Sequence, residues 1–235
     1  MAIKFTIQRF VSLVHNKGII GALKRGKEIL QYIFFESKDY IYYTDISKLK
    51  KSELITSVKM KIDCITKATD LQTEDFKTIS RYRNDAIIKK EMNDRFQHGA
   101  SLWLGRFDEK FVGFMWSIDK APIEYFFFPL SEFDVYFFDA VVFPEFRGNN
   151  MLVFFHNAVL LELKRMGFMR GFLAVHSWNK PVIRSLEKFV FKRFGVAKKH
   201  HIFGRDYVIW FEMVNRDFAS NKNIYLDSEK VTEIV

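Results

Sequence analysis

The residues with the clearest chemical potential lie at a turn between an apolar strand and a long apolar helix. The segment reads FDAVVFPEFRGNNMLVFFHNAVLLELKRMGF, and its turn is made of Arg147, Gly148, Asn149 and Asn150. The first N–H groups of a helix have no partner within it, and the helix dipole adds partial positive charge there. Glycine and asparagine tolerate left-handed backbone conformations, and arginine adds a charged, forked donor. Such a turn suits a phosphate group, although a turn with an ordinary helix cap is the simpler interpretation.

Ionisable side chains on both sides of this turn are candidates for proton transfer. His176 ends the strand after the helix, whereas Tyr136 and Asp139 lie in the apolar strand before the turn. Imidazole titrates near neutral pH, and a lone carboxylate in an apolar strand must be paired or protonated. Each candidate also has a structural interpretation: a strand-end hydrogen bond for His176, an ion pair for Asp139 and a core position for Tyr136. His156 and Glu145 are further candidates, which also fit a helix packing position and a solvated loop.

The elements that position these residues predict a mixed α/β fold. Strand patterns cover 61–69, 101–107, 111–118, 133–143, 171–177, 191–203 and 205–214, and helical patterns cover 70–83, 84–97, 150–166 and a segment that starts at Asn179. The turn Asp108–Lys110 predicts a hairpin, and Gly167 predicts the end of the long helix. This order requires a largely antiparallel sheet with at least one crossover, flanked by helices.

Three regions follow one another along the chain. Residues 1–60 are basic and mostly helical in pattern, with a short β-rich stretch at 40–46; residues 61–213 contain the α/β pattern, and residues 214–235 form a polar tail. The first 27 residues carry six basic side chains and no acidic one. This arm is a candidate for contact with an anionic membrane, and a solvated helix face that covers the sheet is the alternative.

Composition narrows the class of protein. The formal charge of +9 favours an anionic partner, such as nucleic acid, a membrane surface or a phosphorylated small molecule. Cys64 is the only cysteine, which excludes an intrachain disulfide and a cysteine-based metal site. The sequence lacks the pattern of a secretory signal and a long uncharged apolar run, so a cytoplasmic location is expected, with a membrane-peripheral location as the alternative. His200 and His201 are neighbours in a strand and point to opposite faces, so no metal is expected there.

The turn and its surroundings resemble the GNAT superfamily of acetyl-CoA-dependent N-acetyltransferases. The resemblance rests on a V-x-P-x-F-R-G motif, a long helix, a strand and an asparagine that opens the next helix. In this chain those residues are Val142, Pro144, Phe146, Arg147, Gly148, the strand FLAVHS, Asn179 and the segment SLEKFVF at 185–191. It covers about 61–213 and implies a GNAT-like, mostly antiparallel sheet flanked by helices.

The resemblance also implies a set of site residues. Loop amides would hold the pyrophosphate of coenzyme A, the strand before the loop would pair with the pantetheine arm, and a backbone N–H near Val142 or Phe143 would bind the developing oxyanion. The later asparagine would contact the pantetheine arm. The residues that receive these roles are Val141, Val142, Phe143, Arg147, Gly148, Asn149, Asn150, Met151, Leu152 and Asn179.

The sequence departs from the family pattern at several positions. Asn150 replaces a common glycine of the loop, and Leu152 replaces a small residue, as in family members that act on cell-surface sugars. Leu186 lies where the family often has a tyrosine that protonates the leaving thiolate, and Val190 replaces a glycine. A tyrosine general acid at position 186 is therefore excluded.

These observations predict an N-acetyltransferase that moves acetyl from acetyl-CoA to a primary amine by direct attack in a ternary complex. An amino sugar or a nucleotide-linked amino sugar is the first expectation for the acceptor, and a protein or peptide amine is the next. A non-catalytic acyl-CoA-binding module and a membrane- or nucleic-acid-binding protein are the rival classes. The aromatic residues Tyr125, Phe126, Phe127, Phe128 and Phe133 are expected to line an acceptor pocket or to fill the core.

Overall fold

The structure, a computed structural model, consists of one eight-stranded sheet with helices on both faces. It describes residues 38–54, 59–80, 85–120, 126–186, 188, 190–202 and 205–214. The strands are β1 (Asp39–Asp45), β2 (Lys61–Ile65), β3 (Ser101–Phe107), β4 (Lys110–Asp119), β5 (Asp134–Val142), β6 (Arg170–His176), β7 (Lys192–Ile202) and β8 (Arg205–Met213). The helices are α1 (Lys51–Leu54), α2 (Thr73–Ser80), α3 (Asp85–Gln97), α4 (Met151–Arg165) and α5 (Lys180–Leu186).

The strand order is β2-β3-β4-β5-β6-β1-β7-β8. Every neighbouring pair is antiparallel except β5 and β6, which are parallel and are joined by the crossover through α4. The predicted fold class, a mixed and mostly antiparallel sheet flanked by helices, is therefore confirmed. The hairpin is confirmed as well: Asp108 and Glu109, between β3 and β4, have φ of 47° and 60°, as a two-residue hairpin turn requires.

Hydrophobic side chains form one core on each face of the sheet. We call the side covered by α2, α3 and the segment Phe126–Phe128 the first face; Ile79, Met92 and Phe126 are buried there against the strands. The second face is covered by α1, α4 and α5, and it buries a row of apolar residues from α4. That row consists of Phe155, Val159, Leu160 and Leu163. Strand alternation thus sends successive side chains of β5 into different cores.

Strand β1 lies between β6 and β7 and is paired with both along its length. The sequence pattern identified its β character but grouped it with the basic region 1–60. Strand β1 instead belongs to the same sheet as the strands of residues 61–213, because it pairs with both β6 and β7. The basic arm, the rest of the predicted helical region and the tail after residue 214 lie outside the described residues. Within the described ranges, no helix is long and apolar enough to cross a membrane.

Helix boundaries differ from the sequence pattern at one place. Asp70 was expected to cap a helix, but it ends a short 3₁₀ turn at Ala68–Asp70 in which its N–H donates to Lys67 O. Helix α2 begins at Thr73 instead. Helix α3 agrees with the expected range, and α4 ends just before Gly167, whose φ of 90° is the left-handed conformation expected at a helix end.

Parallel strands β5 and β6 are held together at their N-terminal ends by an ion pair whose carboxylate is buried. Asp134 is fully buried, and its Oδ1 accepts from Arg170 Nε at 2.6 Å. These two residues are also direct neighbours in the strand register. The N–H and the hydroxyl of Ser131 donate to the other carboxylate oxygen at 2.9 and 2.6 Å. A buried charge has to be satisfied in this way, so the contact fixes the register of the crossover pair.

Candidate active site

The sheet has a gap between β5 and β6. Their parallel pairing covers only Asp134–Phe137 and Arg170–Leu173. Beyond that point, Phe138, Val141 and Val142 of β5 remain paired with β4, and residues 174–176 of β6 remain paired with β1. The segments 138–142 and 174–176 do not pair with each other. We call this opening between 138–142 and 174–176 the strand gap. It exposes two strand edges to any molecule that can enter between them.

A β-bulge changes the direction of β5 beside the gap. Val141 faces Phe114 and Phe138 faces Trp116, so Asp139 and Ala140 both lie opposite Met115. Asp139 has φ of 51°, which is rare for a residue with a side chain. Close approach of β4 requires a glycine nearby, because a Cβ on Gly113 would lie 2.2 Å from Val141 O. The bulge therefore redirects Asp139, and the sequence pattern alone did not fix that direction.

Backbone groups of β5 after the bulge point alternately to β4 and to the gap. The N–H of Phe143 donates to Val112 O at 3.0 Å and is therefore used within the sheet. Alternation along an antiparallel strand turns the N–H and carbonyl of Val142 the other way, towards the gap. The Val142 carbonyl indeed accepts from Arg147 Nε at 3.0 Å. Of the two predicted oxyanion donors, only the N–H of Val142 faces the gap.

The loop after β5 leads directly to the N-terminus of α4 at the open end of the gap. Gly148 and Asn150 have φ of 91° and 55°, so both adopt the left-handed conformation anticipated for these residue types. Asn150 occupies the N-cap position, but its side chain makes no capping hydrogen bond. The first turn of α4 contains no acidic residue, and Arg147 to Asn150 are exposed. A helix N-terminus without a side-chain cap, with a neighbouring guanidinium and no acidic residue in its first turn, attracts an anion.

His176 ends β6 at the gap and contacts an acid from β1. Its Nδ1 lies 2.5 Å from Asp39 Oδ1, and its ring is stacked on Trp178 with centroids 5.5 Å apart. The His176 side chain is 43% exposed, whereas that of Asp39 is 14% exposed. The ring is thus held on two sides and remains accessible to a ligand.

Asp139 is paired with a base on helix α3. Its Oδ2 accepts from Arg95 Nη1 at 2.8 Å, and the guanidinium also lies over the rings of Trp116 and Phe138. The structural interpretation of Asp139, an ion pair, is the one that this contact supports. The guanidinium neutralises the carboxylate, which makes Asp139 a poorer proton acceptor than a carboxylate without such a partner.

Tyr136 is half-buried on the first face, with its ring 4.6 Å from that of Phe126. Burial, followed by the charges of Asp39 and Asp139, raises the pKa of the Tyr136 phenol, and the charge of Arg95 acts in the opposite direction. The phenol therefore stays protonated, so Tyr136 is unsuited to act as a base. We call the pair Asp139–Arg95 and the pair His176–Asp39, together with Tyr136, the ionisable cluster.

Three further residues considered from the sequence lie elsewhere in the fold: Asn179, Glu145 and Cys64. Asn179 immediately follows the end of β6: its N–H donates to His176 O at 2.8 Å, and its carbonyl accepts from Ile183 in α5. Glu145 is exposed in the loop. Cys64 lies in the edge strand β2, and desolvation raises the pKa of its thiol, which disfavours the nucleophilic thiolate.

His156 belongs to the core of the second face. It is 3% exposed, and its Nδ1 lies 3.0 Å from Leu152 O. Burial lowers its pKa to about 4. The aromatic run is also mainly core: Phe126, Phe127 and Phe128 are buried, whereas Phe133 is 48% exposed and Tyr125 lies outside the described residues.

Two members of the cluster, Asp39 and Arg95, were missed by the sequence interpretation. Asp39 lies at the start of an aromatic strand, more than a hundred residues before His176, and no local pattern links the two. Only the pairing of β1 with β6 brings them into register. Arg95 occupies an ordinary position near the end of a helix, and a lone carboxylate in an apolar strand was the one signal that such a partner exists. Among the described residues, no group of three or more side chains is arranged to hold a metal ion.

No family model matches the sequence, and no curated protein is similar to it. Among solved structures, a GNAT-family acetyltransferase from Colwellia psychrerythraea aligns with a TM-score of 0.49 and 10% identity, over 76% of this chain and 56% of that chain. A glucosamine N-acetyltransferase region of a fungal multi-domain β-N-acetylglucosaminidase aligns with a TM-score of 0.48 and 12% identity, over 74% of this chain and 22% of that one. The PaiA N-acetyltransferase of Thermoplasma acidophilum in complex with coenzyme A aligns with a TM-score of 0.38 and 14% identity, over 63% and 96%.

The matched segments span less than two thirds of the first two of those chains. At these identities and TM-scores, the likeness carries no argument about activity. What this chain does has to be argued from its own strand gap, loop and ionisable cluster.

Proposed function

We propose that this protein is an N-acyltransferase that moves an acetyl group from acetyl-CoA to a primary amine. The observation that carries the proposal is the strand gap, which opens onto the uncapped N-terminus of α4. An extended arm with amide groups fits an unpaired strand edge, because it can take the place of a missing strand. A diphosphate fits a helix N-terminus. Coenzyme A combines both features in one molecule.

The residues that would hold this co-substrate follow from the geometry of the gap. Residues 141–143 provide the strand edge, with Val142 turned towards the gap, and Arg147 to Leu152 provide the loop amides and a guanidinium. Asn179 adds a side-chain amide next to the end of β6. The co-substrate, when bound, supplies an acetyl group activated as a thioester.

Transfer to an amine requires a base and an oxyanion donor. The amine nitrogen forms a bond to the acetyl carbon as the carbon–sulfur bond breaks, and the sulfur leaves with the electron pair as thiolate. We assign His176 Nε2 as the acceptor of the amine's proton and the N–H of Val142 as the oxyanion donor. His176 is favoured over Asp139, which is paired with Arg95, and over Tyr136, whose phenol stays protonated.

The acceptor is proposed to be an amino sugar or a nucleotide-linked amino sugar. Two observations support this acceptor. Leu152 is a large residue at a position where GNAT enzymes that act on cell-surface sugars often have one, and the formal charge of +9 suits a phosphorylated acceptor. A protein or peptide amine is the alternative within the same reaction class. A panel of amines that contains both classes of acceptor separates the two alternatives.

A non-catalytic acyl-CoA-binding module is the second candidate, and one observation favours it. Leu186 is 1% exposed, so the position at which related enzymes often carry a tyrosine is apolar and buried. Under the catalytic proposal the thiolate leaves without a proton donor from this position. Under the module proposal the same loop binds the coenzyme and no thiol is released.

Release of free thiol from acetyl-CoA tests the proposal. The protein is incubated with acetyl-CoA and, separately, with amino sugars, nucleotide-linked amino sugars, peptides with free amines and polyamines. Products are identified by a mass increase of one acetyl group. Thiol release that depends on one class of amine supports the enzyme and identifies its acceptor. Coenzyme binding by calorimetry without turnover on any amine supports the module instead.

Alanine variants then test the base. We expect His176→Ala to lose about 10²-fold in turnover while still binding acetyl-CoA, and the loss should shrink as pH rises and the amine deprotonates unaided. Asp139→Ala should lose less, because its carboxylate is engaged by Arg95. Near-full turnover of His176→Ala between about pH 6 and 9 would remove His176 from the mechanism.

A further inference from the structure

The carboxylate of Asp39 is placed to control the histidine that ends β6. Asp39 is the first residue of β1 and lies directly opposite His176 in the antiparallel register of β1 and β6. Strand neighbours of this kind point to the same face of the sheet, and here they meet through Nδ1 and Oδ1. The contact therefore depends on the insertion of β1 between β6 and β7.

The chemistry of the two groups fixes the direction of the hydrogen bond. An ionised carboxylate only accepts hydrogen bonds, so the proton of a neutral imidazole must lie on Nδ1, and the lone pair must lie on Nε2. Stacking on Trp178, with planes 21° apart, restrains rotation of the ring as well. The imidazole is 43% exposed, and because Nδ1 is engaged by Asp39, the lone pair offered to an acceptor is that of Nε2.

We propose that Asp39 is a positioning residue, which holds His176 in the Nδ1–H tautomer with Nε2 directed to the acceptor amine. The inference rests on the proposed function for its catalytic meaning, but the tautomer is a property of the unliganded protein. When Nε2 receives the amine's proton, both ring nitrogens carry hydrogen, and Nδ1–H remains hydrogen-bonded to the Asp39 carboxylate. Removal of that carboxylate slows the proton transfer without removing the base.

Other charges near the pair do not serve the same purpose. Asp139 is held by Arg95 on α3, and the half-buried phenol of Tyr136 stays protonated. Lys199, on β7, lies with its amino group 3.4 Å from Phe126 O. Of these groups, Asp39 is the one that contacts the imidazole, with its Oδ1 against Nδ1.

A structural alternative is that Asp39 only ties the end of β1 to β6. The test must therefore measure the tautomer of the His176 imidazole as well as the reaction rate. Nitrogen-15 NMR distinguishes the two tautomers of neutral histidine, and a His176→Gln sample assigns the signal among the six histidines of the chain. We expect the wild-type protein to show the Nδ1–H form, and Asp39→Asn to show a mixture or the other form.

Kinetics provide the second measurement. Asp39→Asn should lower kcat about tenfold or more with little change in the KM for acetyl-CoA, and Asp39→Glu should restore part of the rate. The matched control is Asp45→Asn, the same substitution at the other end of β1, where the carboxylate accepts from Ser47 and Lys48. That variant should retain the wild-type tautomer and kcat.

Each outcome decides the question. An Nε2–H tautomer in the wild-type protein, or unchanged tautomer and kcat in a folded Asp39→Asn variant, would overturn the positioning role. If Asp39→Asn fails to fold, the wild-type tautomer alone decides. A wild-type protein that acetylates no amine would overturn the proposed function, while the NMR result still decides the arrangement of the ring.

Discussion

The two ends of the parallel pair β5–β6 are built in opposite ways. At the closed end, Asp134 and Arg170 satisfy each other, and ladder hydrogen bonds continue to Phe137 and Leu173. At the open end, the same strands separate, β5 contains a bulge, and a left-handed glycine and asparagine lead into an uncapped helix. One pair of strands therefore has two roles. Its closed end maintains the register of the sheet, and its open end leaves backbone polar groups available to a ligand.

This division predicts that substitutions at the two ends have different consequences. Changes at the closed end should reduce the free energy of unfolding and leave ligand affinity intact in the protein that remains folded. Changes at the open end should reduce affinity or turnover beyond any loss of stability. A substitution that affected both quantities equally at either end would contradict the division.

The largest effect is expected from Arg170→Ala. Removal of the guanidinium leaves the fully buried Asp134 carboxylate without its charged partner, and loss of one partner of a buried ion pair typically costs about 3–5 kcal/mol. Urea denaturation followed by circular dichroism measures this loss. Arg165→Ala is the control, because Arg165 pairs with Glu162 on the surface of α4 and that side chain is 64% exposed. The control should change the free energy of unfolding by less than about 1 kcal/mol.

Acid should destabilise the second core next, through His156. Burial lowers its folded-state pKa to about 4, below the ordinary 6.5 that applies in the unfolded chain. Between those pH values the unfolded chain binds a proton that the folded protein excludes, so stability is lost as pH falls from 6.5 to about 4. The loss attributable to this residue is about 3 kcal/mol.

Denaturation across that pH range in wild-type protein and in His156→Leu isolates this contribution. The leucine variant should show a shallower decline in stability on acidification, because it has no group to protonate at this position. His98→Leu, at an exposed position, provides the comparison and should retain the wild-type slope. Parallel slopes in wild type and His156→Leu would mean that His156 is not the group responsible.

The β3–β4 hairpin, the end of α4 and the local form of the loop could be predicted from the sequence because their signals are local. The hairpin turn at Asp108 and Glu109, the helix stop at Gly167 and the left-handed Gly148 and Asn150 each follow from conformations that few residue types adopt. The polarity and period of neighbouring residues were enough to identify these elements. Their identification does not depend on distant parts of the chain.

The assembly of the ionisable cluster could not be predicted in the same way. The place of β1 between β6 and β7 is set by pairing between residues far apart in sequence, and Asp39 meets His176 only through that pairing. The bulge changes which side chains of β5 face α3, so the contact of Asp139 with Arg95 depends on one extra residue in a strand. Alternation of polarity does not reveal such an insertion, because the surrounding side chains are nearly all apolar.

The smallest and most selective effect is expected from a matched pair of glycine substitutions. Gly148, in the loop at the open end, and Gly167, beyond the last turn of α4 near the closed end, have φ of 91° and 90°. A Cβ at either position would meet no atom within 4 Å, so valine should introduce a similar backbone cost of about 1–2 kcal/mol at both sites. Any difference in acetyl-CoA affinity between the two variants then reflects the surroundings of the residue and not the backbone strain.

Calorimetric titration with acetyl-CoA should separate these two variants. Gly148→Val should weaken binding at least tenfold, about 1.4 kcal/mol, because a branched side chain hinders approach of an anion to the loop amides. Gly167→Val should bind with the wild-type affinity although its unfolding free energy falls by a similar amount. Wild-type affinity in both variants would mean that the loop does not hold the coenzyme. An equal loss of affinity in both variants would mean that backbone strain at either end of α4 reaches the site. Only a loss confined to Gly148→Val supports a coenzyme site at the N-terminus of α4, because both variants carry the same strain.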